Sequence, residues 1–122
     1  MRTTQRKGDG AVAQAIASFT RAGCDVMIPL TESAPYDLVV DDGSGLYRVQ
    51  VRYSTSGLVD LRRVHSNANG YVVKKIKTQV YDWLYVLTGS DHEYLLKECL
   101  IGRRSVTPQS CDAFEVLIGR GD

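Results

Sequence analysis

No apolar run in this chain approaches the roughly 20 residues that a membrane-spanning helix requires. Nor does its start carry the short apolar stretch of a secretory leader. These two absences point to a soluble, cytoplasmic protein with no membrane contact. Cysteine is sparse: Cys24, Cys99 and Cys111 are odd in number, show no C-x-x-C spacing and sit in apolar surroundings, so buried free thiols in a reducing compartment are expected. Only two histidines are present, His65 and His92, and both stand apart from the cysteines, which argues against a zinc centre. A net charge of +1 does not announce a nucleic-acid binder, so any basic footprint has to be local. Repeats and low-complexity segments are missing too. What remains is a 122-residue chain, 43% hydrophobic, enough for one domain over residues 1–122. Its polar, basic start at residues 1–7 reads as a mobile arm.

The most informative stretch is residues 36–53, YDLVVDDGSGLYRVQVRY. Two β-type runs, 36–41 and 46–53, flank Asp42-Gly43-Ser44-Gly45, a hairpin signal because glycine tolerates the backbone angles of a tight turn. In the second run Tyr47, Val49, Val51 and Tyr53 share one face, and Arg48, Gln50 and Arg52 share the other. The first run opens with Asp37 and continues Leu38-Val39-Val40, apolar on both faces as a central strand is. A carboxylate therefore begins one strand, with an amide and a guanidinium on its hairpin partner. Any function legible here depends on these three side chains meeting.

Around this hairpin the chain reads as follows. Asp9 is placed to cap a helix whose apolar stripe is Val12, Ala15, Ile16 and Phe19, stopped by Gly23. Residues 24–30 form a short strand ended by Pro29. Residues 58–64 alternate weakly and predict a third sheet strand, followed by a loop at 65–70 with an Asn69-Gly70 turn signal. Residues 71–77 are a lysine-rich strand or arm, 80–88 a core strand, and 93–96 a strand pairing back on it. One helical turn is expected at 97–101, and a final strand or short helix at 113–118. A helix followed by several strands gives an α+β (α/β) domain with a mixed sheet.

The order of these pieces resembles the PD-(D/E)XK nuclease superfamily, and within it most closely the small group I intron-associated endonucleases. The stretches that carry the resemblance are Lys7-Gly8-Asp9, Gly23 to Pro29 (GCDVMIP), Tyr36-Asp37-Leu38-Val39-Val40, Val49-Gln50-Val51-Arg52 and Tyr81-Asp82-Trp83-Leu84-Tyr85-Val86, which together span roughly residues 7–88. The resemblance implies a restriction-endonuclease-like core in αβββ order and metal-dependent hydrolysis of DNA. It assigns catalysis to Asp37, Gln50 and Arg52. Magnesium or manganese would be held by Asp37, Gln50 and the Val51 carbonyl, since these ions favour oxygen ligands. Gln50 takes the slot usually held by Asp or Glu. Two departures bear on activity: Val12 stands where the family often has a glutamate, and Arg52 replaces the family lysine. Arginine stays charged and is poorly suited to proton transfer. Asp9, one turn before Val12, is a conceivable substitute carboxylate.

The expected partner is double-stranded DNA. Arg62, Arg63, His65, Asn67, Asn69, Lys74 and Lys75 lie close in sequence and could present cations and amides to a groove, phosphates positioning and amides or guanidinia reading bases. Cutting two strands needs two sites, so a homodimer or higher homo-oligomer is expected. Three alternatives stay open at this point: a non-cutting DNA-binding protein on the same scaffold, a Holliday-junction resolvase-like nuclease, and a structural domain of the same topology.

Overall fold

The computed structural model describes residues 4–61, 63–67, 70–74 and 80–117, with 4–5, 63–67, 70–74 and 116–117 described by backbone alone. Helix α1 runs Thr4–Arg21, 18 residues. Ala11, Ala15 and Phe19 are fully buried along it, and Val12 and Ile16 pack beside them against the same core. The alanines at four-residue spacing let the helix lie close to the sheet. Its end is a Schellman turn: Gly23 has φ +93°, its N–H donates to Thr20 O at 3.1 Å, and Cys24 N–H donates to Phe19 O at 3.0 Å.

The helix begins five residues before the expected cap. Residues 4–7, assigned above to a mobile arm, belong to α1, and Asp9 is an exposed residue within it. Gly8 and Gly10 each cost about 1 kcal/mol of helix propensity and so mimic a boundary. Tertiary contact outweighs them, for Lys7 Nζ lies 5.8 Å from the centroid of the Tyr53 ring.

Five strands form the central sheet. They are β1 (Asp25–Met27), β2 (Leu38–Asp41), β3 (Leu46–Ser54), β7 (Trp83–Thr88) and β8 (Glu93–Leu96), in the spatial order β1-β2-β3-β7-β8. The β3–β7 pair is parallel and the others antiparallel, so the sheet is mixed. The β2–β3 hairpin turns where expected. There Asp42 Oδ1 accepts from Ser44 N–H at 2.9 Å, Ser44 Oγ at 2.7 Å and Gly45 N–H at 3.2 Å, and these bonds, led by the Ser44 hydroxyl, hold the Asp42 carboxyl below its ordinary value.

Residues 58–64 do not supply the next sheet strand. Strand β4 (Val59–Asp60) instead pairs with β9 (Ser105–Val106), and β7 takes the place beside β3. Alternation reports that a segment is half buried but not which strand it joins. All six residues of β7 are buried, which demands a central position. The expected loop at 65–70 is also replaced: β5 (Arg63–Asn67) and β6 (Gly70–Lys74) form a two-stranded ribbon of their own, with Asn67 opposite Gly70. Residues 97–101 form no helical turn, although Leu100 is buried. At the C-terminal end of the described chain, Ala113 bridges to Tyr94 and α2 follows at Phe114–Leu117.

The sheet is covered on both faces. On the α1 side, Phe19 packs against Trp83, Tyr85 and Phe114, with Leu38, Val40, Val49 and Val51 beneath. On the other side, Leu84, Val86 and Leu96 are covered by Val59, Leu61, Tyr81, Leu100 and Val106. Glu93 joins the layers, accepting from the Tyr85 hydroxyl at 2.6 Å and from the Ser18 hydroxyl on α1. Of the cysteines, all free, Cys24 is buried, Cys99 half-buried and Cys111 exposed, so the expectation of buried thiols fails for Cys111. Burial, helped by Asp42, Asp41 and Asp25, pushes the Cys24 thiol up. Among the described residues no helix is long and apolar enough to cross a membrane.

Candidate active site

Strand β3 organises the site. Its regular register against β2 pairs Leu38 with Val49, so Asp37 falls opposite Gln50, one step beyond the last paired positions. There the ladder departs from regularity, because Asp37 N–H donates to Val49 O at 2.9 Å and the Asp37 side chain takes over as acceptor. Its Oδ2 receives Gln50 Nε2 at 2.8 Å and Val51 N–H at 2.8 Å. The carboxylate thereby satisfies an amide of a residue only 7% exposed, which would otherwise be costly to leave unpaired. Among the described residues no hydrogen bond reaches Asp37 Oδ1.

Alternation along β3 sends Val49 and Val51 into the core under α1, and so Gln50 and Arg52 lie on the opposite face. Arg52 is half-buried, and its Nη1 donates to Val51 O at 3.3 Å. The acid and the amide singled out from sequence therefore meet, while the guanidinium contacts the Val51 carbonyl. Val12 does not join them; it packs with the α1-side core.

A second acid flanks β3 on its other edge, and sequence reasoning did not single it out. Asp82, immediately before β7, accepts Arg48 N–H at 2.8 Å and the Arg48 guanidinium at 3.2 and 3.3 Å, while Asp82 N–H donates to Arg48 O at 2.8 Å. This contact raises the Arg48 guanidinium above its ordinary value. The available signal was an aspartate directly before an apolar strand, the same placement as Asp37. Asp82 is engaged as a strand clamp and Asp37 keeps one oxygen available, so the two acids differ in what they can offer a ligand.

Of the groove-binding candidates, Arg62, Asn69 and Lys75 lie outside the described residues. Arg63, His65 and Asn67 occupy alternate positions on β5, and Lys74 is opposite Arg63 in the ribbon. A cavity of about 560 Å³ beside the first turns of α1, lined by Arg6, Lys7, Gln14, Tyr53 and Asp91 among others, includes none of the residues of the Asp37 cluster. The buried Tyr81 hydroxyl has no hydrogen-bond partner among the described residues, and burial pushes it up to about 12.

A family profile described as PD-(D/E)XK endonuclease matches residues 2–98. The chain belongs to the PD-(D/E)XK endonuclease family. A solved structure agrees: that of a bacterial homing endonuclease, I-Ssp6803I, superposes with a TM-score of 0.76 at 25% identity, covering 91% of this chain and 81% of that one. A comparison with curated protein sequences gave no significant match. For a PD-(D/E)XK endonuclease the cluster is sparse in carboxylates. Among the described residues no group of three histidine, cysteine or acidic side chains is placed to hold a metal ion.

Proposed function

We propose that this PD-(D/E)XK endonuclease hydrolyses phosphodiesters of double-stranded DNA with a divalent cation at Asp37, Gln50 and the Val51 carbonyl, assisted by Arg52. The observation that carries the reading is the contact of the Asp37 carboxylate with Gln50 and Val51 on neighbouring strands, both bonds at 2.8 Å. Asp37, the Gln50 amide oxygen and the Val51 carbonyl make an all-oxygen donor set. That chemistry fits magnesium or manganese, with water filling the remaining positions. A cation bound there supplies charge neutralisation at the phosphate and a more acidic water.

The chain's own residues divide the remaining work. Asp37 contributes the one negative charge and holds Gln50 in place through Nε2, which leaves the amide oxygen to face a ligand. Arg52 stays cationic and donates, so its task is stabilising charge on the phosphate rather than accepting a proton. Val51 is fixed by the Asp37 bond to its N–H, which sets the direction of its carbonyl. A twofold pair of such domains would cut both strands.

A second reading, that the same scaffold binds DNA and cuts it slowly, is favoured by two observations. Val12, partly buried, packs against the apolar core where the resemblance calls for a glutamate. Arg52 also bonds to Val51 O, one of the oxygens a cation would use. The test is nicking of supercoiled plasmid in magnesium or manganese, with and without EDTA. Cleavage that needs the metal supports the first reading. Salt-sensitive binding without cleavage supports the second, and no binding at low salt refutes both.

A further inference from the structure

The cavity of about 560 Å³ beside the first turns of α1 stands apart from the Asp37 cluster and has the volume of a small-ligand site. Arg6, Lys7 and Gln14 line it from α1, and Tyr53, Leu87 and Asp91 line it from the ends of β3 and β7. Hydrogen bonds fix these walls. Gly89 N–H donates to Ser54 O at 3.2 Å and Asp91 N–H to Thr88 O at 3.0 Å, which hold the turn after β7 against the end of β3. On the helix, Gln14 Nε2 donates to the Ser18 hydroxyl at 3.1 Å.

Three features of the lining point to an anion. Lys7 Nζ lies 5.8 Å from the centroid of the Tyr53 ring, and among the described residues it has no carboxylate within ion-pair reach. An aromatic ring orients an ammonium without neutralising it. Arg6 stands beside Lys7, so two cations face the single carboxylate of Asp91. Cations this close to the start of a helix oppose its dipole, and α1 has no acid in its first turn, so helix stability does not account for them. The third feature is Gly10, which also lines the cavity. Glycine weakens a helix, yet an added Cβ here would meet nothing within 4 Å, so packing does not demand it. Tyr53 and Leu87 add apolar surface, which a bare inorganic anion does not use and the sugar or base of a nucleotide does.

We infer that this cavity binds one nucleotide, its phosphate on Arg6 and Lys7 and its sugar or base against Tyr53 and Leu87. The nucleotide is either a free monophosphate or one unit of a DNA strand. In the second case the inference rests on the DNA-cleaving reading above, and the cavity holds a nucleotide flanking the one at Asp37. Tyr53 is only two residues, about 7 Å, beyond Val51 along β3, although its side chain faces α1 and that of Arg52 the other side.

The test uses the full chain in EDTA, so that nothing is cut, with deoxyadenosine monophosphate and a short duplex as separate probes. The monophosphate should shift the backbone amides of Gly10, Gly89 and their neighbours in nitrogen-15 NMR. Arg6→Gln/Lys7→Met, which keeps an apolar stem over Tyr53, should weaken its binding about tenfold or more. Gly10→Leu should do the same by filling the cavity. Arg21→Gln, which removes an exposed cation from the other end of α1, should leave it unchanged. On the duplex, Arg6→Gln/Lys7→Met should lower the slope of log K against log salt by about 1, the share of one phosphate contact. A lowered slope without monophosphate binding assigns the cavity to a DNA strand, and monophosphate binding with an unchanged slope assigns it to a free nucleotide. Neither effect, or an Arg21→Gln loss equal to that of the double variant, overturns the inference. A chain that binds the monophosphate but never nicks plasmid in magnesium refutes the DNA-cleaving reading and leaves the cavity standing.

Discussion

Asp37 is both a structural acceptor and the charge of the site, and two substitutions separate those roles. Asp37→Ala removes the acceptor of two 2.8 Å bonds and strands the N–H of Val51, a residue 7% exposed. An unsatisfied buried amide costs about 1–3 kcal/mol. At roughly 4 °C per kcal/mol for a domain of this size, melting should fall by about 4–12 °C. Asp37→Asn keeps a carbonyl oxygen for Val51 N–H. With that oxygen in the place of Oδ2 it accepts from Gln50 Nε2 as well, so both bonds survive and the loss should stay within about 1 kcal/mol. What asparagine does not restore is the negative charge. Cleavage of supercoiled plasmid should therefore drop on the order of 100-fold or more in both variants, the scale seen when one electrostatic group leaves a site. Scanning fluorimetry and single-turnover nicking, run on the same preparations, give the two readouts. An Asp37→Asn protein that cuts at the wild-type rate would refute the assignment, whatever its stability. An Asp37→Ala protein that melts with the wild type would refute the bonding.

Four shorter predictions follow from other contacts. Asp82→Ala should cost at least about 1–2 kcal/mol in urea titration from the uncapped Arg48 N–H, to which a partly exposed ion pair adds only about 0–1 kcal/mol. Arg52→Lys should raise the nicking rate and give it a steeper pH dependence, since lysine releases the Val51 carbonyl and can titrate when half-buried. Stability should fall as pH rises from about 10 toward 12: Tyr81 holds its proton to about 12 in the folded chain and loses it near 10 in the unfolded one, so the unfolded state binds fewer protons in that window. Urea midpoints at pH 8, 10 and 11 measure this, and Tyr81→Phe should lessen the decline, the remainder coming from Tyr85, whose hydroxyl burial also pushes up. A thiol reagent should label exposed Cys111 at once and buried Cys24 only on unfolding.

Much of the site was legible because it is local. The Asp42 turn brings Asp37 and Gln50 opposite each other by counting residues back from a hairpin, and period-two alternation separates Gln50 and Arg52 from the valines under α1. The extent of α1 was not legible, because Gly8 and Gly10 look like a boundary when only propensity is weighed and the Lys7–Tyr53 contact cannot be seen. The partner of β3 was hidden for a different reason. A parallel neighbour arrives from residues 83–88, across an excursion whose own Val59 and Leu61 imitate a sheet strand by being buried at alternate positions. Asp82 went unnoticed because its partner, Arg48, is a long-range neighbour that no spacing announces.

The excursion between Ser54 and Trp83 has a consequence for how such a protein could diversify. Where β3 and β7 run side by side they are tied at both limits, by Asp82 N–H to Arg48 O at 2.8 Å and by Gly89 N–H to Ser54 O at 3.2 Å. The β5–β6 ribbon hangs from this tied pair as a detour with its own hydrogen bonding. A different ribbon could be grafted there while the Asp37 cluster on the β2 side kept its register.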